Sequence, residues 1–186
     1  MLWFLVPLLI GFTLNVASAY TTAWSERWGA RRGELITAVL RNVLGIPVWV
    51  VGLVLAERTP SAALWRSGPA AEVAGWVLLG AGSAVIGLAL HALRAKAALP
   101  STRDALVERG LYAKVRHPIH AGMFLVWASL VLVRPTAAVA LASGLGAVWT
   151  LVQTGAEESD LVRRIPAYRA YMGRVPRFVP RATRKA

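Results

Sequence analysis

The sequence predicts an all-α integral membrane protein with about five transmembrane helices. The chain is 56% hydrophobic with a mean hydropathy of +0.53, and its charged residues stand in short segments between long apolar runs. Soluble domains contain fewer apolar residues than this. We therefore expect a single membrane domain over residues 1–186, with transmembrane helices 1 to 3 in residues 1–93. A connector, a helical hairpin and a C-terminal tail follow in residues 94–186.

Four apolar stretches supply these helices. Three of them have the length of one crossing, about 20 residues: Leu2 to Tyr20, Leu35 to Ala56 and Ala70 to Leu93. The fourth, Ala121 to Val152, is too long for one crossing and is interrupted by Arg134-Pro135. Because proline forms turns and arginine is costly within a bilayer, we predict helices 4 and 5 as a hairpin.

The first stretch has an alternative interpretation. Ala17-Ser18-Ala19 has the small-residue pattern of a signal-peptidase site, but residues 1–20 contain no Lys or Arg before it. We therefore expect this segment to remain as a transmembrane helix. Asn15 lies within it, and a single Asn in such a helix is typical of an interhelical hydrogen bond rather than of a ligand site.

The Lys and Arg residues behind the net charge of +12 are distributed along the chain as membrane topology predicts. When the segments after helices 1, 3 and 5 are assigned to the cytoplasm, that side receives seventeen Lys and Arg residues and the opposite side three. The positive-inside rule then places the N-terminus outside and the C-terminus in the cytoplasm. The Ala/Arg/Val-rich composition is typical of a bacterial chain, so we expect the bacterial inner membrane.

The same composition limits the partners. The Arg-rich tail, Arg174 to Lys185, is expected to contact anionic membrane lipids. No basic recognition helix or aromatic platform indicates nucleic acid, and no feature indicates an obligate protein partner. The chain has no cysteine, which excludes disulfides, thiolate metal sites and cysteine nucleophiles.

Two polar clusters stand at the ends of the predicted hairpin. Arg116-His117-Pro118-Ile119-His120-Ala121-Gly122 precedes it and Glu157-Glu158 follows it, with 34 mostly apolar residues between them. A hairpin returns the chain to its starting side, so the two clusters should face each other at one membrane surface. Ionisable groups in such a place indicate function. We predict a pocket for a charged small molecule there, at the cytoplasmic side.

The first cluster has three possible roles. Pro118 stands in the first turn of helix 4, whose unpaired N–H groups, with Arg116 and His117, suit a carboxylate. Alternatively, Arg116 anchors the helix at the interface and His117 caps it or packs. A metal site built on His117 and His120 is the third possibility. Two histidines at i and i+3 across a proline are an incomplete ligand set, so we predict no metal.

As an ordered set, these motifs resemble the isoprenylcysteine carboxyl methyltransferase and phospholipid methyltransferase superfamily. The resemblance covers Leu88 to Pro180 and consists of Gly110-Leu111-Tyr112, Val115-Arg116-His117-Pro118, Gly122, Glu157-Glu158, and Tyr168-x-x-Tyr171-x-x-Arg174-Val175-Pro176-Arg177-Phe178-x-Pro180. The family signature is Arg-His-Pro-x-Tyr-x-Gly followed, after a hydrophobic stretch, by Glu-Glu. The resemblance implies a membrane enzyme that uses S-adenosylmethionine to methylate a lipid-like acceptor.

By position, the resemblance implies which residues surround the cofactor: Tyr112, Arg116, His117, Pro118, Gly122, Glu157 and Glu158. Arg116 and His117 would take the carboxylate of S-adenosylmethionine. One glutamate would take the ammonium or face the sulfonium, because adjacent helical residues differ by about 100° around the axis.

The catalytic candidates follow from the chemistry of methyl transfer. An amine acceptor must lose a proton, and Glu158 or Glu157 could accept it. Arg164 is the candidate for orienting the acceptor, because it follows Glu157 by seven residues and shares its helix face. The alternative for Arg164 is an arginine at the membrane surface.

The chain departs from the family pattern twice. His120 replaces the signature tyrosine, which keeps a flat ring at a predicted cofactor-binding position but adds a titratable group. Ile165-Pro166 replaces the usual Phe-Gly pair, and this proline should end one helix before another starts.

The expected activity is methylation of a lipid-like or prenylated acceptor, most simply at a carboxyl oxygen. Alternatives are a phospholipid N-methyltransferase, an NADPH-dependent membrane reductase, since membrane sterol reductases resemble this family in their C-terminal half, and a non-catalytic scaffold. No residue identifies the acceptor.

Overall fold

The computed structural model describes residues 2–94 and 100–181. These residues form helices, and the described part of the connector between Leu93 and Pro118 contains one 3-10 helix, Gly110–Ala113. The helices are α1 (Leu5–Ser18), α2 (Thr21–Trp28), α3 (Ala30–Arg58), α4 (Pro69–Leu93), α5 (Pro118–Val133), α6 (Ala137–Arg164) and α7 (Tyr168–Arg174). The described ranges contain no strand, which confirms the all-α class. The predicted connector and tail extend into residues 95–99 and 182–186, which lie outside the described residues.

Three helices, α3, α4 and α6, are long and apolar enough to cross a membrane. The pair α1 and α2 makes a fourth if it counts as one span, although the chain bends by 68° between the two helices. With 16 residues, α5 is apolar but shorter than a full crossing. The described residues therefore contain three to four candidate spans, and the predicted number of five is not confirmed.

The helices do not begin and end where the apolar stretches of the sequence do. The stretch from Leu2 to Tyr20 includes the bend between α1 and α2. Helix α6 continues to Arg164, so Glu157 and Glu158 lie inside it rather than after it. Helical hydrogen bonding does not require apolar residues, and good helix formers such as alanine and glutamate extend α6 until Pro166 restricts the preceding residue.

The first apolar stretch is part of the protein core. Phe4, which directly precedes α1, and Leu8 of α1 are fully buried. Phe12 stacks on Trp149 of α6 with ring centroids 4.7 Å apart and an interplanar angle of 8°. The buried Trp127 ring of α5 meets Phe12 edge to face. Helix α1 is thus packed against α5 and α6.

Helix α3 contains a π-helical stretch, Val39–Gly45. A Cβ on Gly45 would lie 2.9 Å from Nδ2 of Asn15, so α1 and α3 approach closely there. The π stretch also contains Arg41, which lies near this close approach of α1 and α3. Such insertions in an α-helix occur frequently at functional sites.

Glycines bring α4 and α5 together. A Cβ on Gly82 would lie 2.7 Å from the carbonyl oxygen of Gly122, and a Cβ on Gly122 would meet the Gly82 carbonyl at the same distance. Small residues at a helix crossing allow the two backbones to come this close. Helix α5 then ends at Val133, and Arg134-Pro135 breaks the chain before α6, as the sequence predicts.

The connector and the tail fold onto the helix ends. The carboxylate of Glu34 in α3 accepts hydrogen bonds from the Ser101 hydroxyl and the Thr102 amide, at 2.7 and 3.0 Å. The amides of Arg116 and His117 donate to the carbonyls of Pro176 and Arg177, at 2.8 and 3.0 Å. The described part of the connector is therefore held in place, and the tail runs beside the start of α5.

Candidate functional site

A cavity of about 490 Å³ opens between α1, α3, α5, α6, the end of α4 and the connector. Its polar lining includes Asn15, Arg41, His117, His120, Gln153 and Glu157. Its apolar lining includes Ile46, Trp49, Leu90, Met123 and Trp149. One space therefore combines ionisable groups with an apolar and aromatic wall.

The two polar clusters that the sequence places at the hairpin ends meet here. Nη2 of Arg116 lies 2.9 Å from Oε1 of Glu158, and Nε2 of His117 lies 3.2 Å from the same oxygen. Nδ1 of His117 lies 3.8 Å from Oε2 of Glu157, and Nε2 of His120 lies 4.0 Å from Oε1 of Glu157. The predicted juxtaposition is present.

Glu158 is held from several sides and does not line the cavity. Its Oε1 accepts from Arg116, and its Oε2 accepts from Nε of Arg177 at 3.0 Å. The hydrogen bond to Glu158 raises the pKa of Arg177 above its ordinary value. Glu158 joins α6, the start of α5 and the tail into one cluster.

Arg116 is occupied in the same cluster. Nε and Nη2 donate to Glu158, and Nη1 donates to the backbone carbonyls of Met172 and Val175 at 2.8 and 2.5 Å. The guanidinium keeps a single Nη2 proton for any further partner. Arg116 borders the cavity, but this geometry does not favour the expected binding of a ligand carboxylate by Arg116.

The tautomer of His117 follows from its partners. Nε2 of His117 lies 3.2 Å from Oε1 of Glu158 and 3.4 Å from the Tyr168 hydroxyl, and the carboxylate between two guanidinium groups favours the tautomer in which Nε2 donates to it. In that tautomer Nδ1 carries the lone pair. That lone pair lies on the side of Glu157.

The tautomer of His120 follows in the same way. The Thr154 hydroxyl lies 2.7 Å from the Thr150 carbonyl and 2.9 Å from Nδ1 of His120, and when it donates to the carbonyl it accepts from Nδ1. In that tautomer Nε2 of His120 carries the lone pair, which also lies on the side of Glu157. The rings of His117 and His120 stack at 5.4 Å with an interplanar angle of 11°.

Glu157 completes a set of three acceptors. Gln153 donates to its Oε1 at 2.9 Å, which fixes the carboxylate, and 28% of the side chain remains accessible. His117, His120 and Glu157 present ligand atoms that all lie within 4.8 Å of one another. The three residues could hold a cation or an ammonium group. The sequence argument for an incomplete ligand set missed the contribution of Glu157.

Several polar atoms of the cavity lining are buried without a hydrogen-bond partner in the described structure. They are Nδ2 of Asn15, Nε and Nη2 of Arg41, Nε1 of Trp49 and Oε1 of Gln153. Such groups are rare in folded proteins, and each costs free energy when it is left unsatisfied. Their concentration around one cavity indicates a ligand that supplies the missing partners.

Other predicted site residues lie elsewhere or are already engaged. Pro118 starts α5 and Gly122 packs against α4, and neither borders the cavity. Arg164 does border it, but its Nε donates to Asp160 at 3.0 Å and its Nη1 donates to the Ser101 carbonyl. This geometry leaves little of Arg164 for orienting an acceptor.

Three tyrosines enclose the connector side of the site. Burial raises the pKa of Tyr112 and of Tyr168 well above the ordinary value, and it raises the pKa of Tyr171 to about 12. All three therefore stay neutral at physiological pH. The Tyr171 hydroxyl donates to the Tyr112 carbonyl at 2.6 Å, which ties α7 to the connector.

Arg41 and Gln153 were missed as site residues, and Asn15 was expected to serve helix packing. The available signal was polarity within apolar stretches, since an ionisable residue inside a membrane helix needs a reason. Arg41 belongs to neither side of the topology count, because it lies inside the start of the second apolar stretch. Only the packing of α1 against α3 and α6 shows that all three residues share one cavity.

Comparison with known proteins gives one match. A family model described as a protein of unknown function, DUF1295, matches residues 12–175. No curated protein and no solved structure matches the chain.

Proposed function

The chain belongs to the DUF1295 family, a family of unknown function, and from the geometry of its cavity we propose that it is an S-adenosylmethionine-dependent methyltransferase acting on a hydrophobic, lipid-like acceptor. The observation that carries the proposal is the composition of one cavity. Three hydrogen-bond acceptors, several unpartnered hydrogen-bond donors and an apolar wall line the same cavity of about 490 Å³. The resemblance of the Arg116 to Gly122 and Glu157-Glu158 motifs to membrane methyltransferases agrees with it.

The cofactor fits the chemistry of this lining. S-adenosylmethionine has an ammonium, a carboxylate, a ribose and an adenine, and its sulfonium supplies an activated methyl group. Glu157, His117 and His120 offer acceptors, Asn15 and Arg41 offer donors, and the apolar wall suits an aromatic base. No residue here needs to act as a nucleophile, so the chain contributes positioning and exclusion of water.

The acceptor is proposed to be hydrophobic because the cavity lies among apolar helices. Outward-facing apolar side chains on α3, α4 and α6 suit contact with lipid, including Leu35, Val51, Val73, Val77, Val148 and Val152. A carboxylate that accepts the methyl group needs no base to remove a proton. The best placed carboxylate, Glu157, is engaged by Gln153 and faces the two imidazole rings, so it is not available as a base for an amine substrate. We therefore propose carboxyl O-methylation.

The topology completes the proposal. Five crossings, with α5 and α6 as a hairpin, would place the N-terminus outside and the C-terminus with the cavity at the cytoplasmic side of a bacterial inner membrane. A shorter helix such as α5 can cross where the local bilayer is thin. The tail would then lie near anionic headgroups.

An NADPH-dependent reductase is less well supported by this lining. NADPH has a pyrophosphate and a further phosphate, which require several free cationic groups. Among the described lining residues, Arg116 and Arg164 donate most of their N–H groups to carboxylates and carbonyls, whereas Nε and Nη2 of Arg41 are buried without a partner. Acceptors such as His117, His120 and Glu157 would repel a phosphate.

A methyl-transfer assay tests the proposal. Purified protein in detergent is incubated with methyl-labelled S-adenosylmethionine and a bacterial lipid extract, and the label in the organic phase is measured. We expect labelled lipid from the wild type, and we expect Glu157→Gln to abolish it. Glu57→Gln should retain it, because Glu57 is an exposed carboxylate at the C-terminal end of α3 and does not line the cavity. An alkali-labile label would identify a methyl ester, and an alkali-stable label would indicate N-methylation. No labelled lipid and no S-adenosylhomocysteine, from folded protein, would contradict the proposal.

A further inference from the structure

We propose that the polar end of the cavity is a subsite for an α-amino acid zwitterion, in which Arg41 and Asn15 bind the carboxylate and His117, His120 and Glu157 bind the ammonium. This inference rests on the proposed function, because the zwitterion is the methionine end of S-adenosylmethionine. It assigns the carboxylate to residues of α1 and α3, which lie outside the region that resembles methyltransferases.

The ammonium side is defined by three acceptors without a donor among them. Nδ1 of His117 and Nε2 of His120 carry lone pairs in the tautomers that donate to Glu158 and Thr154 from the other ring nitrogens. Both lone pairs face the carboxylate of Glu157 at 3.8 and 4.0 Å. Three acceptors that face one another repel unless a cationic donor lies between them, and a primary ammonium has three N–H groups.

The spacing of these acceptors lies between that of an ammonium site and that of a zinc site. Acceptors at hydrogen-bond distance from a tetrahedral nitrogen lie about 4.7 Å apart. Nitrogen and oxygen ligands of a tetrahedral zinc ion lie about 3.4 Å apart. The two imidazole nitrogens lie 3.8 and 4.0 Å from two different oxygens of Glu157, and the three residues each offer one ligand atom within 4.8 Å of the others. The zinc titration described below therefore decides between the two occupants.

The carboxylate side is defined by unpartnered donors. Asn15 is 4% exposed, and its Nδ2 has no partner among the described residues. Nε and Nη2 of Arg41 are likewise unpartnered and buried. A guanidinium edge presents two parallel N–H groups, which is the arrangement that binds both oxygens of a carboxylate.

The two sides lie next to each other. Arg41 is close enough to Glu157 and to His120 to interact with both electrostatically. The three residues line the same cavity as Asn15. A zwitterion carries its two charges on adjacent carbons, so it needs a cationic and an anionic group that line one cavity, as Arg41 and Glu157 do. The π-helical stretch of α3 holds Arg41 at this place, and Gly45 allows α1 to bring Asn15 beside it.

The test compares two ligands that differ in the carboxylate alone. S-adenosylmethionine and its decarboxylated form share the ammonium, the sulfonium and the nucleoside. Their dissociation constants are measured by calorimetry on the full-length protein in detergent, for the wild type, Arg41→Gln and Arg58→Gln. Arg58 is an exposed arginine at the far end of the same helix and is the matched control.

We expect the wild type to bind S-adenosylmethionine about tenfold or more tightly than the decarboxylated form, since hydrogen bonds between charged groups are strong. Arg41→Gln should remove this preference by weakening S-adenosylmethionine alone, and Arg58→Gln should keep it. Equal affinities of the wild type for the two ligands would overturn the inference while leaving the proposed function standing, and this comparison needs no variant to fold. Equal weakening of both ligands in Arg41→Gln would also overturn it. Binding of neither ligand to the wild type would overturn the proposed function and the inference together.

A second arm tests the ammonium side against a metal. The protein is titrated with Zn²⁺, and S-adenosylmethionine binding is repeated with a chelator present. We expect no stoichiometric Zn²⁺ binding and no effect of the chelator. One Zn²⁺ per chain that is lost in His120→Ala and kept in His91→Ala would overturn the ammonium assignment. His91 is an exposed histidine at the end of α4 and serves as the control.

Discussion

Arg116 and Glu158 form a buried ion pair with Nη2 and Oε1 2.9 Å apart, and their side chains are only 10% and 5% exposed. The two residues are separated by 42 positions in the chain. Their pairing closes the hairpin of α5 and α6 at its open end. Arg177 adds a second guanidinium to the same carboxylate, so the tail depends on this pair as well.

Glu158→Gln is expected to destabilise the protein because it leaves two guanidinium groups without their counter-charge. Breaking a buried ion pair by removing one partner costs about 3–5 kcal/mol of unfolding free energy. Glu26→Gln breaks the exposed pair with Arg163, whose side chains are 60% and 54% exposed, and should cost at most about 1 kcal/mol. Denaturant unfolding in detergent measures both. Similar losses in the two variants would contradict the structural role of Glu158.

Gly82→Ala is expected to disturb the packing of α4 on α5, since its Cβ would lie 2.7 Å from the Gly122 carbonyl. Overpacking of this kind costs about 1–3 kcal/mol. Gly80→Ala in the same helix meets nothing within 4 Å and should be neutral or stabilising by up to about 1 kcal/mol. Thermal unfolding of the two variants separates them, and an unaffected Gly82→Ala would show that the helices are further apart.

Leu8→Ala and Leu9→Ala test whether α1 belongs to the core. Leu8 is 0% exposed, whereas Leu9 is 48% exposed on the outer face of the same helix. Truncation of a buried leucine costs about 2–5 kcal/mol through lost packing, and truncation of Leu9 should have a small effect. Equal, small effects on unfolding would show that α1 is not packed against α5 and α6.

Alkaline pH should destabilise the protein through Tyr171. Burial raises its pKa to about 12, above that of an unfolded tyrosine near 10. The folded state therefore binds the proton more tightly, and this contribution is complete below pH of about 10 and is lost between about pH 10 and 12. Thermal unfolding of the wild type should shift to lower temperature across that window. Tyr171→Phe has no proton to lose there and should show a smaller shift, and an equal shift would exclude Tyr171 as the cause.

The sequence predicted the hairpin and the meeting of its two ends because hydrophobic length and a proline turn are local signals. They placed Arg116 and His117 beside Glu157 and Glu158 correctly. The helix ends were less predictable, since apolar residues mark the depth of the membrane rather than the extent of hydrogen bonding. Helix α6 therefore continues beyond the predicted boundary at Val152.

The roles of individual residues could be assigned only from the packing of the helices. Arg116 has the residue type that binds carboxylates, but two backbone carbonyls and Glu158 already use its donors. Gly122 belongs to the family motif and yet faces α4 rather than the cavity. Arg41 was visible only as a charge in an apolar stretch, because neither the π-helical stretch nor the approach of α1 leaves a pattern in the sequence.

Calorimetric titration of the detergent-purified protein with S-adenosylmethionine tests most directly whether the cavity is a cofactor site. His120→Ala removes an acceptor from the lining, His91→Ala is the matched control, and NADPH is the competing ligand. Saturable binding that His120→Ala weakens, that His91→Ala retains and that NADPH does not displace is the predicted result. No binding of S-adenosylmethionine by folded wild-type protein, or displacement by NADPH, would contradict the account.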